Sequence, residues 1–152
     1  MYLHIANKNY SSWSLRPWVL MKILGLPFEE TVHPFPMGGG PTGFDAFSPT
    51  RKVPVLVDGE NTIWDSLAIT EYLAEQQPAV WPADKTARAW ARSAAAEMHS
   101  GFANLRNVCA MSCGVRVALH QPVPPGLLQD LQRLKALWAE GLQRFGGPFL
   151  AG

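Results

Sequence analysis

Three groups of residues in this 152-residue chain have types and spacings that could do chemistry. The run KNYSSWSLRPW (8–18) crowds Ser11, Ser12 and Ser14 around a tryptophan, where an apolar strand should stop and a helix start. Serines satisfy the orphan N–H groups of a helix's first turn, so these can be simple caps. One of them can equally face a bound anion or thiol, because a helix N-terminus favours negative charge. Pro54 is the second feature. It sits in the apolar run VPVLV and cannot donate to a sheet ladder. It therefore marks the first residue of an edge strand, or a cis Val53–Pro54 bond that turns the Val53 backbone toward a peptide-like ligand. The third feature is Asp65-Ser66, just ahead of LAITEYL. This pair can be ordinary caps, or can hold the ammonium and carboxylate of an amino-acid-like ligand end.

The elements that must position these residues are legible in the patterning. Tyr2–Ala6 reads as a short strand. A helix follows with Ser14 as its N-cap, Pro17 in its first turn, and Trp18, Leu20, Met21 and Leu24 as its buried stripe. Gly25 and Pro27 end it. FEETVH is a second strand, and PFPMGGGPTG is too rich in Pro and Gly for anything but a mobile surface loop. VPVLV and TIW pair as a hairpin across Asp58-Gly59, and a helix with Ile69, Tyr72 and Leu73 inward runs to Pro78. This is an α/β domain over 1–77. Residues 78–85 form a linker, and 86–152 turn all-helical. One helix runs from Thr86 to about Cys113 with Trp90, Ala94, Met98, Gly101, Leu105 and Val108 on one face. The alanines at 94–96 would let another helix come close. A second helix buries Leu127, Leu131, Leu134, Trp138, Leu142 and Phe145, keeping Asp130, Arg133, Glu140 and Arg144 off that face.

Composition excludes several classes. Hydrophobic content of 47% with 16% charged residues suits a globular core. A net charge of +1 gives no strong pull toward nucleic acid or acidic membranes. No apolar run reaches the roughly 20 residues that span a bilayer, and the N-terminus lacks a secretory pattern. Cys109 and Cys113 make no disulfide framework, which favours a reducing cytoplasm. They are expected as buried free thiols on one helix face, and two ligands make no zinc site, so no metal is expected.

In this order and spacing, SSWSLRPW, RKVPVLVDG, WDSLAITEYL and RAWARSAAAEMHSGFANLR resemble the glutathione transferase superfamily across essentially the whole chain. The resemblance implies a thioredoxin-like first domain that binds glutathione and a helical second domain that shapes the pocket for a small electrophile. It also implies a homodimer. By this likeness Val53, with Pro54, pairs with the cysteinyl part of glutathione, and Asp65 and Ser66 hold the γ-glutamyl end. SSWS is similar to the serine-using zeta and tau classes, whose first serine is catalytic; here that is Ser11, with Ser12 as understudy. Tyr10 is expected to pack, because Ile5 occupies the place of the tyrosine used by other classes. The glycine-rich loop has no lysine where the tau class holds the glycine carboxylate, leaving Arg51 and Lys52 as the nearby cations. His99 can line the co-substrate pocket or simply sit on a helix surface. Two variants stay open. One is zeta-type isomerisation, whose signature has cysteine where Trp13 stands; the other is a non-catalytic binding protein of the same fold. In the superfamily the helical domain continues past a segment like GGPFLAG, so 86–152 is expected to be an incomplete second domain.

Overall fold

The computed structural model describes residues 1–36, 38, 40–119 and 121–152. Met37 and Gly39 of the expected PFPMGGGPTG loop, and His120 before the last helix, lie outside the described residues. The chain divides into two compact units, Met1–Val80 and Trp81–Gly152.

The first unit is built on a four-stranded sheet of order β2-β1-β3-β4, comprising β1 (Tyr2–Ile5), β2 (Glu29–Val32), β3 (Val55–Asp58) and β4 (Asn61–Trp64). β2 runs parallel to β1, which requires a crossover, and α1 (Ser12–Ile23) supplies it. β3 lies antiparallel to β1 and turns tightly into β4 through Gly59, whose φ of +59° a glycine adopts without strain. α2 (Ser66–Gln76) follows. This parallel-then-antiparallel order, followed by a helical unit, is a thioredoxin-like domain leading into an all-α one. The core follows from period-two alternation. Leu3, Ile5 and Leu56 point to one face and meet Met21 of α1 and Ile69 and Leu73 of α2, all essentially inaccessible. Each such burial contributes about 1.5–3 kcal/mol.

α1 departs from expectation at its start. Ser11, not Ser14, occupies the N-cap position, and Pro17 consequently falls in the second turn, buried, rather than in the first. The cause is a competing acceptor role, since the Ser14 hydroxyl takes the Ala6 N–H at 3.1 Å instead of capping its own helix. At the other end, Gly25 at φ +64° lets its own N–H reach the Lys22 carbonyl and the Leu26 N–H reach that of Met21. This is the Schellman closure that Gly25 and Pro27 promise.

In the second unit the expected single helix from Thr86 to Cys113 is two helices, α3 (Lys85–Ser100) and α4 (Ala103–Val108). Phe102 breaks it. Its ring is buried, and its backbone is left-handed at φ +58°. The new helix start is satisfied from elsewhere in the unit, as the Leu105 N–H donates to Asp130 Oδ2 at 2.9 Å. Cys109 and Cys113 therefore lie beyond the helix rather than on one face of it, and both are exposed free thiols, not buried ones. α5 (Pro125–Phe145) buries Leu127, Leu137 and Gly141, while Leu131, Trp138 and Leu142 remain exposed. The expected stripe is thus rotated. Trp90 of α3 explains why: its ring seats over Gly141, and its indole N–H donates to Glu140 Oε1 at 2.9 Å. Arg133 closes the same pair of helices with two hydrogen bonds to Glu97, at 2.5 and 2.7 Å.

Candidate functional site

The strand register carries the three sequence features to one end of the sheet. His4 pairs with Val55, and Val55 pairs with Trp64. Because β3 is antiparallel to both neighbours, Val53-Pro54 leads into it where β1 ends and where β4 delivers Asp65-Ser66. α1 begins at the same end, tied back by the Ser14 bond to Ala6. Ser11, Ser12, Val53, Pro54, Asp65 and Ser66 thus gather around one end of the sheet, although they span more than a third of the chain.

Ser11 is buried in the N-cap position without a side-chain capping bond. Its Oγ donates instead to Ser14 Oγ at 2.9 Å. Ser14 is completely buried and has Ala6 N–H as its other partner. Hydroxyl protons rotate, so this pair can reverse, with Ser14 donating to Ser11 and Ser11 donating outward. Ser12 opens α1 and is half-buried. Tyr10 is 49% exposed and leans on Phe35, with ring centroids 6.2 Å apart.

The Val53–Pro54 bond is cis, and both residues are buried. Val53 packs with Ala6, Phe44 and Phe47 in a small cluster apart from the main core. The segment leading to it is pinned by Ser48, which the sequence patterning does not reveal. Ser48 Oγ donates to the Lys52 carbonyl at 2.6 Å and accepts the Lys52 N–H at 3.1 Å. Arg51 and Lys52 are exposed, Arg51 with a left-handed φ of +57°.

Asp65 caps α2 through Oδ1, accepting from Leu67 N at 2.8 Å and Ala68 N at 3.4 Å. It does so from φ +77° and ψ 136°, a conformation that costs a non-glycine residue about 1–3 kcal/mol. Ser66 is 3% exposed, and among the described residues its Oγ has no hydrogen-bond partner. A buried hydroxyl left unpaired costs about 1–3 kcal/mol, and here it sits on the first turn of a helix whose N–H groups favour an anion.

A second group at this end escaped the sequence reading. His4 Nδ1 lies 3.0 Å from His33 Nε2, and Phe47 stacks on both rings with centroids 4.3 Å away. Burial lowers the pKa of His4, with the charge of His33 adding to it, and burial lowers that of His33. Histidines at alternate strand positions in YLHIA and just past EETV are the signal, but nothing in one sequence says that those two strands are neighbours. His99 is half-buried in the last turn of α3. Among the described residues no three His, Cys, Asp or Glu side chains gather as metal ligands, and no helix is long and apolar enough to cross a membrane.

Residues 10–76 match the family model for the N-terminal domain of glutathione S-transferase. Over 146 residues, 93% of the chain, the sequence is 34% identical to a zeta-class glutathione S-transferase of Euphorbia esula, of which the match covers 64%. Over 32 residues, 21% of the chain and 11% of the relative, it is 53% identical to a dichloromethane dehalogenase of Methylorubrum extorquens. The chain thus spans less than two thirds of either curated relative. The crystal structure of a Burkholderia glutathione transferase homolog with bound glutathione superposes with a TM-score of 0.73 at 26% identity, covering 99% of this chain and 74% of that one. With its thioredoxin-like unit, its helical unit and these likenesses along nearly its whole length, the chain belongs to the glutathione transferase superfamily.

Proposed function

We propose that this chain binds glutathione at the sheet end described above and activates its thiol, as thiolate, for attack on a small electrophile. The observation that carries this reading is Ser11. Its hydroxyl sits at the start of α1 and is backed by a second, fully buried hydroxyl that can donate to it. A thiol with pKa about 8.5 is only about 3% ionised at pH 7. Lowering that pKa by about 2 units raises the fraction to roughly three quarters and requires about 2.7 kcal/mol. A charge-assisted hydrogen bond supplies about 1.5–3 kcal/mol, and the helix N-terminus adds to it. The serine stabilises the nucleophile and is not itself consumed. Ser12 is the alternative donor.

In the same reading the Val53 backbone, with Pro54 beside it, receives the cysteinyl part of glutathione, and Asp65 and Ser66 hold the γ-glutamyl end. The electrophile is small. The dehalogenase relative supports a halogenated one, and the zeta-class relative supports isomerisation as a second reading. Retention on immobilised glutathione, followed by conjugation of chlorodinitrobenzene and chloride release from dichloromethane, tests the proposal. Retention with neither reaction, nor isomerisation, would leave a binding protein and remove the catalytic claim.

The two ends of the ligand separate in a mutant pair. Ser66→Ala should weaken glutathione binding about 10-fold, as one charge-assisted bond to the ligand carboxylate is lost, while the melting temperature holds or rises because an unpaired buried hydroxyl is removed. Asp65→Ala should weaken binding and also cost about 1 kcal/mol of stability, since it deletes the α2 cap. Calorimetric titration with thermal melting reads both quantities. Unchanged affinity in both variants would reduce the pair to structural caps.

A further inference from the structure

His4 on β1, His33 just past β2, and Phe47 join the parallel strand pair to the segment that ends at Val53. The imidazoles stack at 5.2 Å and touch through Nδ1 and Nε2 at 3.0 Å. Phe47 lies nearly parallel to His4, at 13°, and Phe44 meets His33 edge-on at 6.2 Å. One residue beyond Phe47, Ser48 grips both backbone polar groups of Lys52, which ties the ring's seat to the peptide preceding Val53. A contact between two imidazole nitrogens needs one donor and one acceptor. It is satisfied when the pair holds no extra proton or one, and it fails when both rings are cationic, because neither nitrogen can then accept.

We propose that His4, His33 and Phe47 form a pH-operated clasp. While the pair holds at most one extra proton it seats residues 44–52 and positions Val53, and when both rings are protonated it releases the segment and glutathione affinity falls. This rests on the assignment of Val53 to glutathione binding. The positions of the other groups fit a switch centred on the pair. Among the described residues, the titratable neighbours on the surrounding elements are Tyr2 on β1, which hydrogen-bonds Thr31, Glu29 at the head of β2, Asp45 in the turn, and Arg51 and Lys52, the last four exposed. β3 presents Val55 and Val57, which carry no charge. Glu30 is engaged by Lys8 and Trp18. Both histidine pKa values lie below the ordinary 6.5, so the folded state prefers the neutral rings. The clasp's contribution is therefore complete above about pH 6.5 and is lost as pH falls through the lowered values.

S-Methylglutathione is the probe, because its blocked sulfur leaves no thiol to titrate beside Ser11. Its Kd, measured by calorimetry, should rise about 10-fold between about pH 7.5 and pH 5 in the wild type. It should change by no more than about twofold in His33→Asn, where a neutral amide keeps a partner for His4 without accepting a proton. Hydrogen exchange of peptides covering 44–53 without ligand, corrected for the intrinsic pH dependence, reads the same release directly. Protection lost at low pH in the wild type and retained in His33→Asn supports the clasp. Equal protection at both pH values in the wild type, or the same loss in His33→Asn, overturns it. If S-methylglutathione binds at neither pH, the glutathione assignment fails, and the exchange data still decide the clasp. Should His33→Asn not fold, His4→Gln takes its place in both measurements.

Discussion

Ser11→Ala is expected to lower turnover by about 10- to 100-fold while leaving the Michaelis constant for glutathione within a few-fold of wild type. The hydroxyl is placed to donate to a sulfur anion, a bond worth about 1.5–3 kcal/mol, and each 1.36 kcal/mol is a factor of ten. Its contribution is to the charged, reacting form, so it should appear in the rate more than in binding. The pH–rate profile is the decisive measurement, and in the mutant the lower inflection should move up toward the value of a free thiol, about 8.5. Ser14→Ala is the informative control. It removes the partner of Ser11 and strands the buried Ala6 N–H, so it should cost about 1–3 kcal/mol of stability with a smaller loss of rate. If Ser11→Ala keeps the wild-type inflection, the activating hydroxyl is elsewhere, and Ser12, on the first residue of α1, is the next to test.

The contrast between Ser11 and Ser14 also shows how far a sequence can be read. Strand alternation, the Asp58-Gly59 turn, the Gly25 stop and the Asp65 start are local signals, and each corresponds to a local backbone structure. Assigning the N-cap to Ser14 used a local rule too, but that hydroxyl belongs to a residue eight positions away, because β1 presents the Ala6 N–H to it. The His4–His33 contact and the Ser48 clamp on Lys52 share this character. They exist only once β2 is placed beside β1, or the chain is folded back at residues 44–52. Phe102 shows a different limit, since apolar periodicity runs on through Gly101 and Leu105 while the backbone reverses hand at a residue type that seldom does so. The catalytic and ligand-holding candidates were legible because helix starts and a proline in a strand are sequence events. The residues that hold them in place were not.

A large structural effect is expected from one of the smallest changes, Gly141→Ala. Apolar periodicity assigns the buried face of α5 to Trp138 and Leu142, because a glycine adds nothing to a hydrophobic stripe. The structure instead seats the Trp90 ring on Gly141. A β-carbon there would lie 2.4 Å from the far edge of that ring and 2.5 Å from the Leu150 carbonyl oxygen. Neither neighbour yields easily. The indole is held by Glu140 and packs against Phe145 at 5.5 Å, and the carbonyl is backbone. On an exposed helix the same substitution would gain about 1 kcal/mol in helix propensity. Here overpacking should cost about 3 kcal/mol or more, for a net loss of about 2 kcal/mol and a melting temperature lower by roughly 4–8 °C. The sign of the change is therefore the test. Trp90→Phe removes the ring atoms that collide, so in the double mutant Gly141→Ala should cost less than it does alone, a coupling of about 1 kcal/mol in a double-mutant cycle. A neutral or stabilising Gly141→Ala would mean that α3 and α5 do not meet at Trp90, and the expected stripe through Trp138 would then regain its claim to the buried face.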